Sequence, residues 1–307
     1  MDANLFAQKT LKYIWQHPEN HDHQLWSVGR FLGWQVYKRL THRSLDITLP
    51  RTNIKLRCYP DSRSASAALY CGLYDHDEML FLQRFLKDSD SFLDVGANVG
   101  IYTLLAAEKL PNGRVYSIEA LPKNAARLKE NLALNNFTHV ITYDLAVSDA
   151  PGYVTLDLAD GDSTPSITGN TSQTELKVPT DTLDNLLADS IDSLTLAKMD
   201  IEGAELLALK GAIALLQQQR PMVWILEVNS QLHNFNYTAE DLVAFLEDYD
   251  YGLYRYSAKE NTLFPISLAE HVGNNLLAVA HPWLEQVHQR LTQPIYKPTT
   301  KSLDSWP

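Results

Sequence analysis

Of 307 residues only two are cysteines, Cys58 and Cys71, and their separation fits no zinc-ligand spacing. With so few thiols, a disulfide-stapled secreted scaffold is excluded, and two reduced thiols of a cytoplasmic protein are the expectation. No stretch of eighteen consecutive apolar residues occurs, so no membrane-spanning helix is expected. The start, Met1-Asp2-Ala3-Asn4, leads from no basic segment into an apolar run, unlike a secretion signal. Positive charge is also scarce: 37 acids face 26 Lys and Arg, a formal charge of −11. A chain this acidic repels a phosphate backbone, so nucleic acid is not the expected partner.

What remains is an ordinary globular composition, 45% hydrophobic and 21% charged, with enough length for a large core. Three regions emerge. Residues 1–70 read as an α+β extension, with a helical stretch over Leu25–Leu40. Two short alternating runs follow, Leu45–Leu49 and Ile54–Cys58, and the turn residues Pro50-Arg51-Thr52-Asn53 between them make a hairpin. The helical stretch carries Trp26, Phe31, Leu32, Trp34, Val36 and Tyr37, expected chiefly as packing.

Residues 71–281 alternate strand-like and helical patterns, the mark of βα units around a mostly parallel sheet. Strands are expected at Ser91–Val95, Arg114–Glu119, Val140–Ala146, Thr195–Met199 and Met222–Glu227. Helices are expected at Leu104–Leu110, Lys123–Asn135 and Glu205–Gln218, and another after Thr238, which has capping-box spacing to Asp241. Gly252–Tyr256 and Leu276–Ala280 read as an antiparallel pair ending the sheet. Residues 282–307 read as a tail with one short helical run.

The sharpest local signal is Phe92-Leu93-Asp94-Val95-Gly96-Ala97-Asn98-Val99-Gly100, an apolar strand entering a glycine-bearing turn before a helix. Dinucleotide folds place a pyrophosphate at such a turn. Asp94 would repel that anion, whereas S-adenosylmethionine presents an ammonium and a sulfonium there. Asp94, Gly96, Asn98 and Gly100 are therefore candidate donor-binding residues. Glu119 ends the second strand, nineteen residues after Gly100, and is placed for ribose hydroxyls. Asp144, after the third strand, is a candidate for an adenine amino group.

A second cluster is Lys198-Met199-Asp200-Ile201-Glu202-Gly203-Ala204-Glu205. In open α/β sheets ligands lie beyond the carboxyl ends of the strands, so Asp200, Glu202 and Glu227 should share the crevice with Asp94. Lys198, in an apolar strand, requires an acidic partner. A hydroxyl acceptor must lose a proton before attacking a methyl group, to a carboxylate or to His233. Alternatively a magnesium ion on Asp200, Glu227 and Asn229 would lower the hydroxyl pKa; the metal-free route is favoured here.

These segments resemble the FkbM family of methyltransferases. The resemblance rests on Asp94–Gly100, on Lys198–Glu205 with Leu209-Lys210-Gly211-Ala212, and on Asn131-Leu132-Ala133-Leu134-Asn135, Ala146-Val147-Ser148-Asp149, Thr182-Leu183-Asp184 and Asn275-Leu276-Leu277-Ala278-Val279. Gly72-Leu73-Tyr74-Asp75 is similar to the family's entry into the core, with Asp75 in place of glutamate. The resemblance covers residues 70–280. It implies an α/β, Rossmann-like class I methyltransferase sheet, mostly parallel with an antiparallel last strand. It further implies methyl transfer from S-adenosyl-L-methionine, usually to a hydroxyl of a small sugar or natural-product acceptor. The Gly-, Ser- and Thr-rich segment Asp160–Thr174 is a candidate acceptor-covering loop. Two other classes compete: an NAD-dependent oxidoreductase, disfavoured by Asp94 and the missing GxGxxG spacing, and a non-catalytic donor-binding scaffold using the N-terminal aromatics.

Overall fold

The computed structural model describes residues 3–157, 166–167 and 175–292. Its centre is an eight-stranded sheet whose strands we number in chain order. They are β1 Ser91–Val95, β2 Arg114–Ile118, β3 Val140–Tyr143, β4 Leu196–Met199, β5 Val223–Glu227, β6 Tyr251–Ser257, β7 Thr262–Pro265 and β8 Asn275–Ala280. They lie side by side in the order β7-β6-β8-β5-β4-β1-β2-β3. Strands β1 to β5 run parallel. β8, the last in the chain, is antiparallel to both β5 and β6. This is the mostly parallel α/β sheet implied by the sequence. The β6–β8 pair does not end it, because β7 folds back on β6 as an antiparallel edge strand.

Strands β1 and β4 are buried throughout, as expected where helices cover both faces of a parallel sheet. Residues alternate between two hydrophobic clusters, one for each face. Phe92, Val115, Leu196 and Ile225 join the first; Leu93, Tyr116, Ala197 and Trp224 join the second. The N-terminal segment belongs to the first cluster through Ile14, Phe31 and Trp34. Its helix Gln24–Thr41 is pinned by a hydrogen bond from Trp34 Nε1 to Ser66 Oγ at 3.0 Å. Leu45–Thr48 and Lys55–Cys58 form the expected antiparallel hairpin. Cys58 and Cys71 are free and buried.

Two details differ from the sequence reading. The run Glu205–Gln218 is two helices, Glu205–Lys210 and Ile213–Gln217; Asp184 accepts the Ala214 and Leu215 amides and starts the second. The third strand stops at Tyr143, and Ala146–Val147 passes into a second, four-stranded sheet with Gly152–Asp157, Ser166–Ile167 and Glu175–Asp181. Pro179 interrupts the strand pattern there and hides it from periodicity. The short helical run expected in the tail is the helix Leu284–Thr292, whose Arg290 pairs with Asp90 beneath β1. The helix after Thr238 has the expected capping box with Asp241. Apart from Ser166–Ile167, the segment Asp160–Thr174 lies outside the described residues, as does 293–307.

Candidate active site

Strand register sets the site. Lys198 on β4 lies opposite Asp94 on β1, and Asp94 lies opposite Ser117 on β2, so three polar residues form one row across an apolar sheet. Each is buried and each has a partner. Thr103 Oγ1 donates to Asp94 Oδ2 at 2.6 Å, and the Thr103 and Ser117 hydroxyls are 2.7 Å apart. Burial raises the Asp94 pKa, opposed by Lys198 and by the Thr103 hydrogen bonds.

Strand order reverses between β1 and β4, and a cleft of about 310 Å³ opens beyond their carboxyl ends. One wall is the loop after β1. Gly96 takes a φ of +81°, and a Cβ there would lie 2.0 Å from the Asp200 carbonyl oxygen. The close approach served by this glycine is thus between the loop and β4. Asn98, at φ +53°, donates its amide to Glu119 Oε2 at 2.7 Å, while the Leu121 amide donates to Glu119 Oε1 at 2.8 Å. Burial pushes the Glu119 carboxyl up to about 7 despite these two amides.

The opposite wall holds Lys198, Asp200, Glu202 and Glu227. Lys198 Nζ is 2.8 Å from Asp200 Oδ2 and 4.8 Å from the centre of the Tyr102 ring. Burial alone would discharge this ammonium, but Asp200, Asp94 and Asp75 outweigh burial and raise its pKa. Burial likewise works against the Asp200 carboxylate, and Lys198 reverses the sign, holding Asp200 below its usual range. Glu227 has no cation of its own. Burial and the charges of Asp200 and Glu202 push it up to about 9, so at neutral pH it carries a proton and hydrogen-bonds to Asp200. Its Oε2 is buried without a hydrogen-bond partner. Glu202 stands at φ +56°, is hydrogen-bonded to Gln231, and has its pKa raised by burial and by Asp200.

Arg63 and Ser64 of the N-terminal segment, with Tyr74 and Asp75 just after it, complete the cleft. The Tyr102 hydroxyl donates to Asp75 Oδ2 at 3.0 Å, and burial pushes Asp75 up to about 6. In the sequence Asp75 marks only an imperfect match at the core entrance; the one hint of its place is the start of a helix directly after it.

Four candidates lie outside the cleft lining. Gly100 precedes the helix Ile101–Lys109 with φ +91°, and a Cβ there would strike Leu128 at 2.3 Å; its role is packing. Asp144 is exposed and paired with Lys129 at 2.6 Å, although the next residues, Leu145 to Val147, line the cleft. His233 is exposed in the 3-10 helix Ser230–Phe235, and Asn229 caps that helix by accepting the Gln231 amide at 2.8 Å. Among the described residues no group of three or more His, Cys, Asp and Glu is arranged to hold a metal. Asp200, Glu227 and Asn229 in particular are engaged with Lys198, with Asp200 and with Gln231, so these three do not form an open magnesium site.

The Methyltransferase FkbM domain family matches residues 94–253, just over half of the chain. This protein belongs to the FkbM methyltransferase family. Its matched segment runs from Asp94 through the cluster at Lys198–Glu205 and past Glu227 into β6. Membership sets aside the NAD-dependent oxidoreductase reading. The acidic cleft also suits a cationic donor such as S-adenosylmethionine. No curated protein matches the chain. Among solved structures, it is similar to a precorrin-6y C5,15-methyltransferase from Geobacter metallireducens at 14% identity and a TM-score of 0.39, over 67% of this chain and 89% of that one. An rRNA methylase from Streptococcus thermophilus is 12% identical, with a TM-score of 0.36 over 66% and 93% of the two chains. TYW2 of M. jannaschii, solved in complex with AdoMet, is 14% identical, with a TM-score of 0.39 over 78% and 86%.

Proposed function

We propose that this FkbM methyltransferase methylates a hydroxyl oxygen of a small, uncharged, polyhydroxylated acceptor, a sugar or a natural product. The unequal protonation of the three carboxyls at the ends of β4 and β5 carries this reading. Lys198 neutralises Asp200, and Glu227 holds a proton towards it, so neither is a ready base. Glu202 has no such cation within bonding distance, lines the cleft, and gains proton affinity from burial and from Asp200. It is the side chain best suited to take the acceptor's proton. Glu227, as a neutral acid, orients the acceptor by hydrogen bonding, and the Lys198–Asp200 pair fixes the wall on which both act.

At the other wall Asp94 attracts the donor's ammonium, Glu119 accepts from its ribose, and Gly96 and Asn98 shape the loop that covers it. S-adenosylmethionine supplies an electrophilic methyl group, so the protein's task is alignment and removal of one proton. Acids outnumber the cations Arg63 and Lys198 in the cleft lining, so a neutral acceptor is favoured over an anionic one. No metal takes part in this scheme.

The test is methyl transfer from 13C-methyl donor to a panel of sugars and hydroxylated metabolites, with the product methyl assigned by NMR. An O-methyl product is expected, and Glu202→Gln should lower kcat by about 10²–10⁴ with the donor KM unchanged. A methyl found on nitrogen or carbon, or a Glu202→Gln enzyme at full rate, contradicts the proposal.

A further inference from the structure

The helices Ala3–Gln16 and Gln24–Thr41 stand apart from the rest of the molecule in both charge and exposure. In a chain of charge −11, neither helix contains an aspartate or glutamate, whereas together they carry Lys9, Lys12, Arg30, Lys38 and Arg39. Of ten large hydrophobic side chains exposed among the described residues, seven lie on these two helices. The second helix is apolar on two opposite sides. Its inner side buries Ser27, Phe31 and Trp34. On the outer side Leu25, Leu32, Val36 and Leu40 repeat at helical spacing and are 80%, 54%, 56% and 78% exposed, with Trp26 beside them at 50%. Tyr13 and Trp15 are also exposed on the first helix, and Gln24 Nε2 joins the two helices through the Trp15 carbonyl at 3.0 Å.

We propose that this outer side is a peripheral docking surface for an anionic lipid bilayer. Aromatic rings and leucines on one side of an amphipathic helix, with lysines and arginines at its margins, suit the boundary between lipid headgroups and acyl chains. Lys9, Lys12, Arg39 and Arg43 are exposed around the apolar stripe, and Asp22 in the connecting turn is the one exposed acid between the helices. Charge also selects the occupant. A second copy docked through this side would set one basic surface against another, whereas an anionic bilayer complements it. No helix among the described residues is long and apolar enough to cross a membrane, so the contact is made by lying on the surface. This surface adjoins the cleft: the Tyr13 hydroxyl donates to the Tyr74 carbonyl at 2.8 Å, and Tyr74 and Asp75 line the cleft.

Flotation of the full chain with vesicles tests the proposal, comparing pure phosphatidylcholine with phosphatidylcholine containing about one third phosphatidylglycerol. Binding is expected only to the anionic vesicles and should weaken with added salt. Leu25→Ser/Leu32→Ser/Leu40→Ser should lower the partition by more than about tenfold, through lost apolar contact. Independently, Arg39→Glu/Arg43→Glu should lower it by more than about tenfold, at about fivefold for each cation removed and more for the charges introduced. Both sets lie on exposed positions away from the cleft, and unchanged binding of S-adenosylhomocysteine verifies their fold. Absence of flotation, equal flotation with both vesicles, or flotation unaffected by either variant overturns the proposal. So does a wild-type dimer that fails to float and is dissociated by the leucine variant, which would assign the surface to a second copy.

Discussion

At the donor wall of the cleft, Asp94 and Glu119 are each held by uncharged donors: a threonine hydroxyl for one, two backbone amides for the other. At the wall formed by β4 and β5, Asp200, Glu202 and Glu227 gather around a single ammonium, Lys198. Amides and hydroxyls can be supplied one for each carboxylate, so the donor wall can be rigid without being selective about charge. Arg63 also lines the cleft and tempers Glu202, but the ion pair of Lys198 is with Asp200. That pair fixes Asp200 as the anion, leaves Glu227 protonated, and raises the proton affinity of Glu202. On the proposed function, a fixed pocket for a cofactor and a graded set of proton sites arise from the same residue types with different partners.

Removing the cation should produce the largest effect. Lys198→Met leaves Asp200, about a third exposed, without its partner and Asp94 with only its Thr103 hydrogen bond, and stability should fall by about 1–3 kcal/mol in a urea titration. A smaller loss would mean that Lys198 is dispensable and that the contrast between the walls is false. At the donor wall, Glu119→Gln leaves one oxygen for two amides. Donor affinity should weaken by about tenfold to a hundredfold, read as the Kd for S-adenosylhomocysteine; an unchanged Kd would show that the Asn98 and Leu121 amides do not depend on the carboxylate.

Glu227 gives a subtler comparison, through pH. Its folded pKa, about 9, lies above that of an unfolded glutamate, so between about 4.5 and 9 the folded protein binds the extra proton. Its contribution is therefore full below the unfolded pKa, declines as pH rises through that window by at most about 1.4 kcal/mol per unit, and then levels. Glu227→Gln keeps a hydrogen-bond donor towards Asp200 but cannot ionise. Urea midpoints at pH 5 and pH 8 should diverge less in this variant than in the wild type, and parallel behaviour would place no proton on Glu227.

Local sequence makes the donor wall legible, because Asp94, Gly96, Asn98 and Glu119 belong to consecutive strand–loop–helix–strand elements whose order and spacing set their relation. Lys198, Asp200, Glu202 and Glu227 are legible for a similar reason, since each sits at or just beyond a strand end. Asp75 is not, because a residue from before the sheet reaches the cleft only through packing of the helix His76–Phe85 against the helix Ile101–Lys109. Asp144 and His233 lie outside the cleft lining, a placement that depends on where a strand stops and how a loop turns. β3 ends at Tyr143, and the segment after β5 winds into a 3-10 helix that turns His233 outward. The N-terminal aromatics divide by helical face, Phe31 and Trp34 inward and Trp26 outward, a division that periodicity alone does not assign when both faces are apolar.

The most direct test of the central claim is calorimetric titration of the full chain with S-adenosylmethionine at neutral pH, in the wild type and in Asp94→Ala/Glu119→Ala, with NAD as the control. The wild type should bind S-adenosylmethionine and not NAD, and the folded double variant should lose at least about a hundredfold in affinity. Equal binding by the two proteins would show that the donor does not occupy the wall formed by Asp94 and Glu119.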